Sequence, residues 1–551
     1  MKKGLNALAG SHPEPVFAAM ETGSRPEGLT NERGADIWNM ITASLRGDNE
    51  AMLKLLLKDG SLAACSWGYF TPLHFAVRSG RLEGVQLLLD HGADATERTL
   101  SWQDTPVTKA KDRGFVAIAE LLERHLEARF RTSAAGSRIA GLIKEGQKDN
   151  VLRELNECPE SAFAGDERGN TPMHWAALTR QPWLVDELLR RGADIHARRA
   201  DGATPLQLAV HGDYWFRANR DLRKQAMRNL WFFAGYLAAR GAEYDVWTAS
   251  AVGDTEFVAS MLQTDPGLAN RKNSVDRRPL SYAAKYGHAE TVKLLLERGA
   301  DPNAEERDAP RGSSLWAAVA GNHEECAGVL LEHGADPNAT VEAGGNPLFM
   351  ATKQKRDGLV NMLYAAGATM NLDSACCLGR IDLAGEIIKA NPSLIHAGGD
   401  YGPLCMAAGY GHTDIVRMLI RGGADLNAPW YANNYMGYAM DTGPDMVRLL
   451  LESGADPNHA NWLGVTYLHK AALTGSVELA GLLLAFGADL HAVDEEYRTT
   501  PLGWAAKYGK REMAAFLLEK GADPSLPADE PWTQPAAWAK RRGFADIGEL
   551  V

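Results

Sequence analysis

What this chain has little of narrows it first. Cysteine is sparse, with six in 551 residues (Cys65, Cys158, Cys326, Cys376, Cys377, Cys405). Their spacing is irregular and no pair of CxxC motifs occurs, so neither a disulfide framework nor a thiolate zinc site is written here. They read as free, mostly buried thiols of a reducing compartment. No run of about 18 apolar residues is present, and the opening MKKGLNALAGSHPEPVF carries two lysines without the apolar centre of a secretion signal. The expectation is a cytoplasmic protein with no membrane insertion. Positive charge is also short: 58 Lys+Arg against 70 Asp+Glu leave a net charge of −12. Phosphate backbones therefore meet no attracting field, and nucleic acid is not an expected partner. HExxH, the P-loop, GxSxG and the EF-hand loop are all missing, so the expectation is no catalytic residue, no metal and no cofactor.

What the chain has in plenty is repetition. Gly-Ala-Asp/Glu, or a near copy, falls at Gly92, Gly192, Gly241, Gly299, Gly334, Gly367, Gly423, Gly454, Gly487 and Gly521. Many intervals lie near 33 residues or twice that, roughly the period of a stacked solenoid. One copy, TPLHFAVRSGRLEGVQLLLDHGADATER from Thr71, shows the physics. Thr71 caps a first helix and Pro72 sits where a missing N–H costs nothing. Ala76 and Ser79 permit close approach, and Gly80 ends the helix. Leu82, Val85, Leu87, Leu88 and Leu89 give a second helix its apolar face, closed by Gly92. The following stretch forms an extended hairpin. One such unit cannot bury both helices, so it must stack on copies of itself.

This grammar resembles the ankyrin repeat. The residues that carry the likeness are TPLHFAVRSG from Thr71, NTPMHWAAL from Asn170, RPLSYAAKYGHAETVKLLLERGADPNA from Arg278 and YLHKAALTGSVELAGLLLAFGAD from Tyr467. It is weaker in SSLWAAVAGNH from Ser313 and NNYMGYAMDTG from Asn433. The resemblance implies an all-α solenoid of about 16 stacked helix-turn-helix units with hairpin connections, curved into a superhelix.

Four units lack the TPLH opening and read as starting caps, at Ile41, Ile139, Thr248 and Ser374. The expected organisation is an extended or poorly ordered arm over 1–35, a first block over 36–130, a linker over 131–136 that acts as a hinge, and further blocks over 137–245, 246–372 and 373–551. The AKxRGF form, near Trp102 and again near Trp532, marks terminating units, and the first of them continues into a lengthened helix. Between Gly212 and Gly241 the spacing is longer than usual by about 17 residues, a surface insertion near 214–236. Trp215 and Trp231 there alternate with Arg220 and Arg223. Two readings stand: aromatics that cover the adjacent repeats, or a recognition element.

The resemblance assigns His74, His174 and His469 to tying a loop to a helix start, and Asp94, Asp194, Asp301, Asp336, Asp425, Asp456, Asp489 and Asp523 to starting hairpins. Asp494, Glu495 and Glu496 read as a solvated charge run, with general acid–base work as the sharper alternative. The positions that the repeat leaves free are the hairpin tips and the two residues before the first helix's glycine, which line the concave face in this family. Here they hold Trp67, Tyr69, Trp102, Lys285, Tyr286, Tyr401, Tyr410, Trp430, Tyr431, Trp462, Tyr497, Lys507, Tyr508 and Trp532. Exposed aromatics at such places mark binding surfaces, whereas the bland reading packs each on the next hairpin. The first functional expectation is a non-catalytic scaffold that grips a protein or peptide. The alternative is a small-molecule or carbohydrate pocket made by aromatic hairpins with Asp or Glu, catalytic or not. A regulatory variant lays the arm in the groove, in which case deleting residues 1–34 raises partner affinity.

Overall fold

Helices come in pairs along this chain because each half-repeat carries its own start and stop. The computed structural model describes residues 32–67, 70–98, 104–211, 230–306, 309–341, 345–396, 402–428, 434–528 and 530–551, and the side chains of Arg33, His211, Leu230 and Trp231 are not among the described ones. Over these residues it holds thirty-two α-helices in sixteen pairs, joined by loops with short 3₁₀ turns and isolated β-bridges. The fold is the all-helical repeat solenoid read from the sequence. The described residues fall into two compact units, one over 43–369 and one over 370–551 together with residues up to 42.

In each pair an inner helix is followed by an outer one. Pro72–Arg78 precedes Leu82–Asp90, Pro279–Tyr286 precedes Ala289–Glu297, and Pro501–Lys507 precedes Arg511–Glu519. Within a unit, inner helices mostly pack on the inner helices of the next pair, and many outer helices on outer ones. Ala76, Ala283, Ala284, Ala505 and Ala506 are fully enclosed at these contacts. Their small side chains let neighbouring helices approach closely, while Leu73, Val85, Leu88, Leu280, Val292 and Leu295 fill the space between them. Each such Leu or Val contributes roughly 1.5–3 kcal/mol by leaving water.

Side chains also join successive pairs through the backbone. His288, His323 and His412 donate from Nε2 to the carbonyls of Ala251, Lys285 and Cys377 in the preceding inner turn, at 3.0, 3.1 and 2.9 Å. Arg81, Gln181, Gln354 and Thr442 do the same for Leu45, Ile143, Ala320 and Ala408. At the hairpins Asn303 donates to the Gly334 carbonyl and accepts from the Asp336 N–H, both at 2.8 Å. Asn270, Asn338, Asn427 and Asn458 repeat that pattern.

The first described helix, Glu32–Arg46, begins inside the expected arm. Val116–Phe130 is a lengthened outer helix, as expected after Trp102. Beyond it, Thr132 bridges Gly165, Ser133 N–H donates to the Gly165 carbonyl at 3.1 Å, and a helix starts at Ala134. A Cβ on Gly136 would stand 2.0 Å from the Gly165 oxygen, so the backbones meet here at a distance only glycine allows. Before the insertion runs the inner helix Pro205–His211, and after it the outer helix Leu230–Ala238. In the outer helix Phe233 is buried, and Tyr236 donates to Asp186 at 2.6 Å beneath the Arg240 guanidinium.

Candidate functional site

Two of the predicted Lys-Tyr pairs end inner helices with the same five residues, Ala-Ala-Lys-Tyr-Gly at 283–287 and 505–509. In both, the closing glycine is left-handed, with φ +83° at Gly287 and +68° at Gly509. The next pair covers each glycine: His323 stands on Gly287 and the Phe544 ring on Gly509. The neighbourhoods then diverge.

In the first unit, Lys285 and Tyr286 are half-buried. The Tyr286 hydroxyl donates to the Val210 carbonyl, two pairs earlier in the stack. Burial pushes this hydroxyl's pKa up. Burial, and then the Arg277 guanidinium, bring Lys285 down to about 7. Arg277 itself is enclosed against Glu306 at 3.3 Å, and Glu306 also accepts from Ser281 Oγ and the Arg278 N–H, both at 2.7 Å. Near Tyr286 stands Arg180, which follows the inner helix Pro172–Leu178. Burial lowers its pKa, Tyr286 acting weakly in the other direction. Arg180 has φ +52°, and its Nη1 is enclosed without a hydrogen-bond partner.

In the second unit, Lys507 is buried and its ammonium lies among aromatic rings, 4.0 Å from the Tyr497 centroid, 4.9 Å from Trp538 and 5.4 Å from Tyr508. The Tyr497 and Tyr508 hydroxyls share a hydrogen bond at 3.1 Å. Tyr497 meets Trp504 and Trp538 edge-on at 5.1 and 5.5 Å, and Arg541 covers Trp538 at 4.0 Å and the half-buried Trp532 at 5.7 Å. Asp494 organises the hairpin, accepting from Trp504 Nε1 at 2.8 Å and from the Tyr497 N–H at 2.7 Å. Asp166 holds Trp175 in the same way at 2.8 Å.

The expectation of exposed hairpin aromatics is corrected at three positions. Trp67 is 2% exposed and its backbone pairs with Phe70, Trp462 is 8% exposed, and Tyr497 is 4% exposed. A flat ring on a two-stranded turn removes more apolar surface from water by lying against the stack than by standing off it. Lys507, buried as well, is corrected likewise. Tyr410 is 44% exposed at its inner-helix end. Tyr69, Trp102, Tyr401, Trp430, Tyr431, Trp215, Arg220 and Arg223 lie outside the described residues, as does the side chain of Trp231.

The acids and histidines have visible structural work. Asp94, Asp194, Asp301, Asp336, Asp425, Asp456, Asp489 and Asp523 each accept the N–H two residues on, at 2.8–2.9 Å. His74 accepts at Nδ1 from the Thr71 N–H and donates from Nε2 to the Glu97 carbonyl, tying helix start to hairpin. His174 and His469 repeat it, and burial brings His174 down to about 4. The expectation of a wholly solvated acid run is corrected: Asp494 and Glu496 are each 1% exposed, because the indole and backbone N–H groups draw Asp494 inward.

Sequence reasoning missed Arg180, the Arg277–Glu306 pair and Trp538. A departure marked the first, since Thr-Arg at 179–180 replaces the Ser-Gly of 79–80. A cleft of about 230 Å³, lined by Gln207, Asp245, Trp247, Lys272, Asn273 and Ser274 among others, was also unforeseen. Among the described residues, no group of three or more His, Cys, Asp or Glu is placed to hold a metal, and no helix is long and apolar enough to cross a membrane.

Comparison with known families matches residues 8–99, 372–461 and 457–528 to ankyrin repeats (3 copies), 276–307 to the single ankyrin repeat, and 155–209 and 315–364 to ankyrin repeats (many copies). An ankyrin repeat domain-containing protein of Stachybotrys chartarum is 26% identical over 56% of this chain and 14% of its own length. Rabankyrin-5 of Mus musculus is 24% identical over 43% of this chain and 20% of its own. The chain thus spans a fifth or less of these two relatives. A putative ankyrin repeat protein of Fowlpox virus is 30% identical over 24% of this chain and 85% of its own length.

Proposed function

Because the chain belongs to the ankyrin-repeat family, we propose that it is a non-catalytic scaffold that binds a protein or peptide partner through its inner-helix ends and hairpin tips. The observation that carries this reading is the placement of Tyr410. It stands 44% exposed at an inner-helix end where packing asks for nothing large, on a backbone fixed by the pairs before and after it. A side chain held in advance loses little freedom when a partner arrives, and a few aromatic or Arg anchors then dominate affinity. The protein is expected to act in the cytoplasm.

The test is capture from the source cell's lysate with the full chain and with a Tyr410→Ala, Tyr508→Ala double variant. A partner held by the first and lost by the second supports the scaffold, and truncating a true anchor should cost about 2 kcal/mol or more. Partners held equally by both would remove these helix ends from the binding surface. The small-molecule reading has a foothold in the cleft beside Trp247, but 230 Å³ lies under the roughly 300–1,000 Å³ of ordinary ligand sites, so the protein partner is the reading kept.

A further inference from the structure

We infer that Arg180 is a carboxylate anchor, and that the partner is a peptide segment that seats one aspartate or glutamate side chain on its guanidinium. This deepens the scaffold reading and rests on it. Two independent observations carry it. The first is conformational. Arg180 has φ +52° at the turn that ends an inner helix, a turn at which Gly80, Gly146, Gly253, Gly287, Gly411 and Gly509 hold the same left-handed geometry and which Asn322 and Lys355 also adopt without glycine. A side chain there is strained where glycine is not, and strain of this kind is enriched at positions with a task beyond folding.

The second is electrostatic. The guanidinium has five N–H donors in a planar fork. Among the described residues Arg180 has no ion pair and no side-chain hydrogen bond, its Nη1 is enclosed by protein atoms, and burial disfavours its charge. Among the described residues the titratable group that acts on it is the Tyr286 hydroxyl, itself held neutral by burial. A half-buried cation with unsatisfied donors costs free energy in the unliganded protein. A bidentate carboxylate would recover it and satisfy the fork in the geometry that Arg favours. The surroundings suit a peptide: the Tyr286 ring lies alongside, and Lys144 of the preceding pair lies over Trp175 of the same pair at 4.9 Å. This local cationic surface on a chain of net charge −12 would select an acidic segment by complementarity.

The experiment is a random peptide library, displayed on phage and selected in parallel on the full chain, on Arg180→Gly and on Arg180→Lys. Arg180→Gly relieves the left-handed strain, so it should melt no lower than the parent and remain a folded control. The parent is expected to enrich peptides with one fixed Asp or Glu. Converting that acid to Asn or Gln should weaken binding on the order of tenfold or more, the scale of one charged hydrogen-bonded pair. Arg180→Gly should weaken the acidic peptide equally and show no further loss with the amide peptide, and Arg180→Lys should recover part. Enriched peptides without a fixed acid, or an acid whose conversion matters equally on Arg180→Gly, would overturn the anchor and leave the scaffold standing. A parent that enriches nothing would overturn the anchor, and the lysate capture then decides the scaffold separately.

Discussion

The Ala-Ala-Lys-Tyr-Gly sequence is spelled identically at 283–287 and 505–509, yet its two lysines meet opposite conditions. Lys507 is surrounded by Tyr497, Trp538 and Tyr508, whose ring faces favour a cation. Lys285 lies over the Tyr286 ring at 5.6 Å, near the Arg277 charge, and is brought down to about 7. Helix position fixes where the ammonium starts, but the residues of neighbouring pairs decide whether it is welcome. In the second unit Trp538 of the following pair joins Tyr497 and Tyr508 around the ammonium. In the first the neighbouring charge is Arg277.

The comparison can be broken most forcefully at Trp504, which is fully enclosed and bonded to Asp494. Trp504→Ala should cost about 3–5 kcal/mol, read as lost amide-exchange protection in Pro501–Lys507, with protection in Pro279–Tyr286 unchanged. Next is the histidine tie. His174 is brought from 6.5 to about 4, so the native state resists its protonation. Its contribution is intact above about pH 6.5 and falls as pH drops towards 4, by roughly 3 kcal/mol in all. His469 is lowered too. NMR titration should find His174 neutral at pH 5.5, and a charged His174 at that pH would refute the buried tie.

The lysines themselves give a smaller contrast. Lys507→Met should cost about 1–2 kcal/mol through its lost ring contacts, whereas Lys285→Met should cost less, because it removes a desolvated charge. Stability of the first unit should rise between pH 7 and 10.5, since a lysine depressed in the native state favours folding once both states have lost the proton, and this rise should vanish in Lys285→Met. Denaturant melts of both variants across pH decide it. Smallest are Tyr286→Phe and Tyr508→Phe, each removing one hydrogen bond worth about 1 kcal/mol.

Much of the fold was legible because ankyrin-like grammar is local. Thr71 with Pro72, Gly80 and Gly92 mark ends a few residues apart, and the eight hairpin aspartates each act on an N–H two positions away. The site was less legible because exposure is set by the next pair. Tyr497 packs on Trp504 nearby, but part of its cover, Trp538, comes from 41 positions further along the chain. Arg277 and Glu306 lie 29 positions apart and are recognised as partners only when stacking brings two hairpins together. Arg180 was visible as a missing glycine, but its enclosed nitrogen was not.

The links from His288, His323 and His412 to the preceding inner turn all run in one direction, from a later pair back to an earlier one. During synthesis each inner turn therefore leaves the ribosome with a carbonyl still answered only by water, and the donor that completes it arrives with the following thirty-odd residues. The newest pair on a growing chain is always the unfinished one, and its completion waits on its successor's translation.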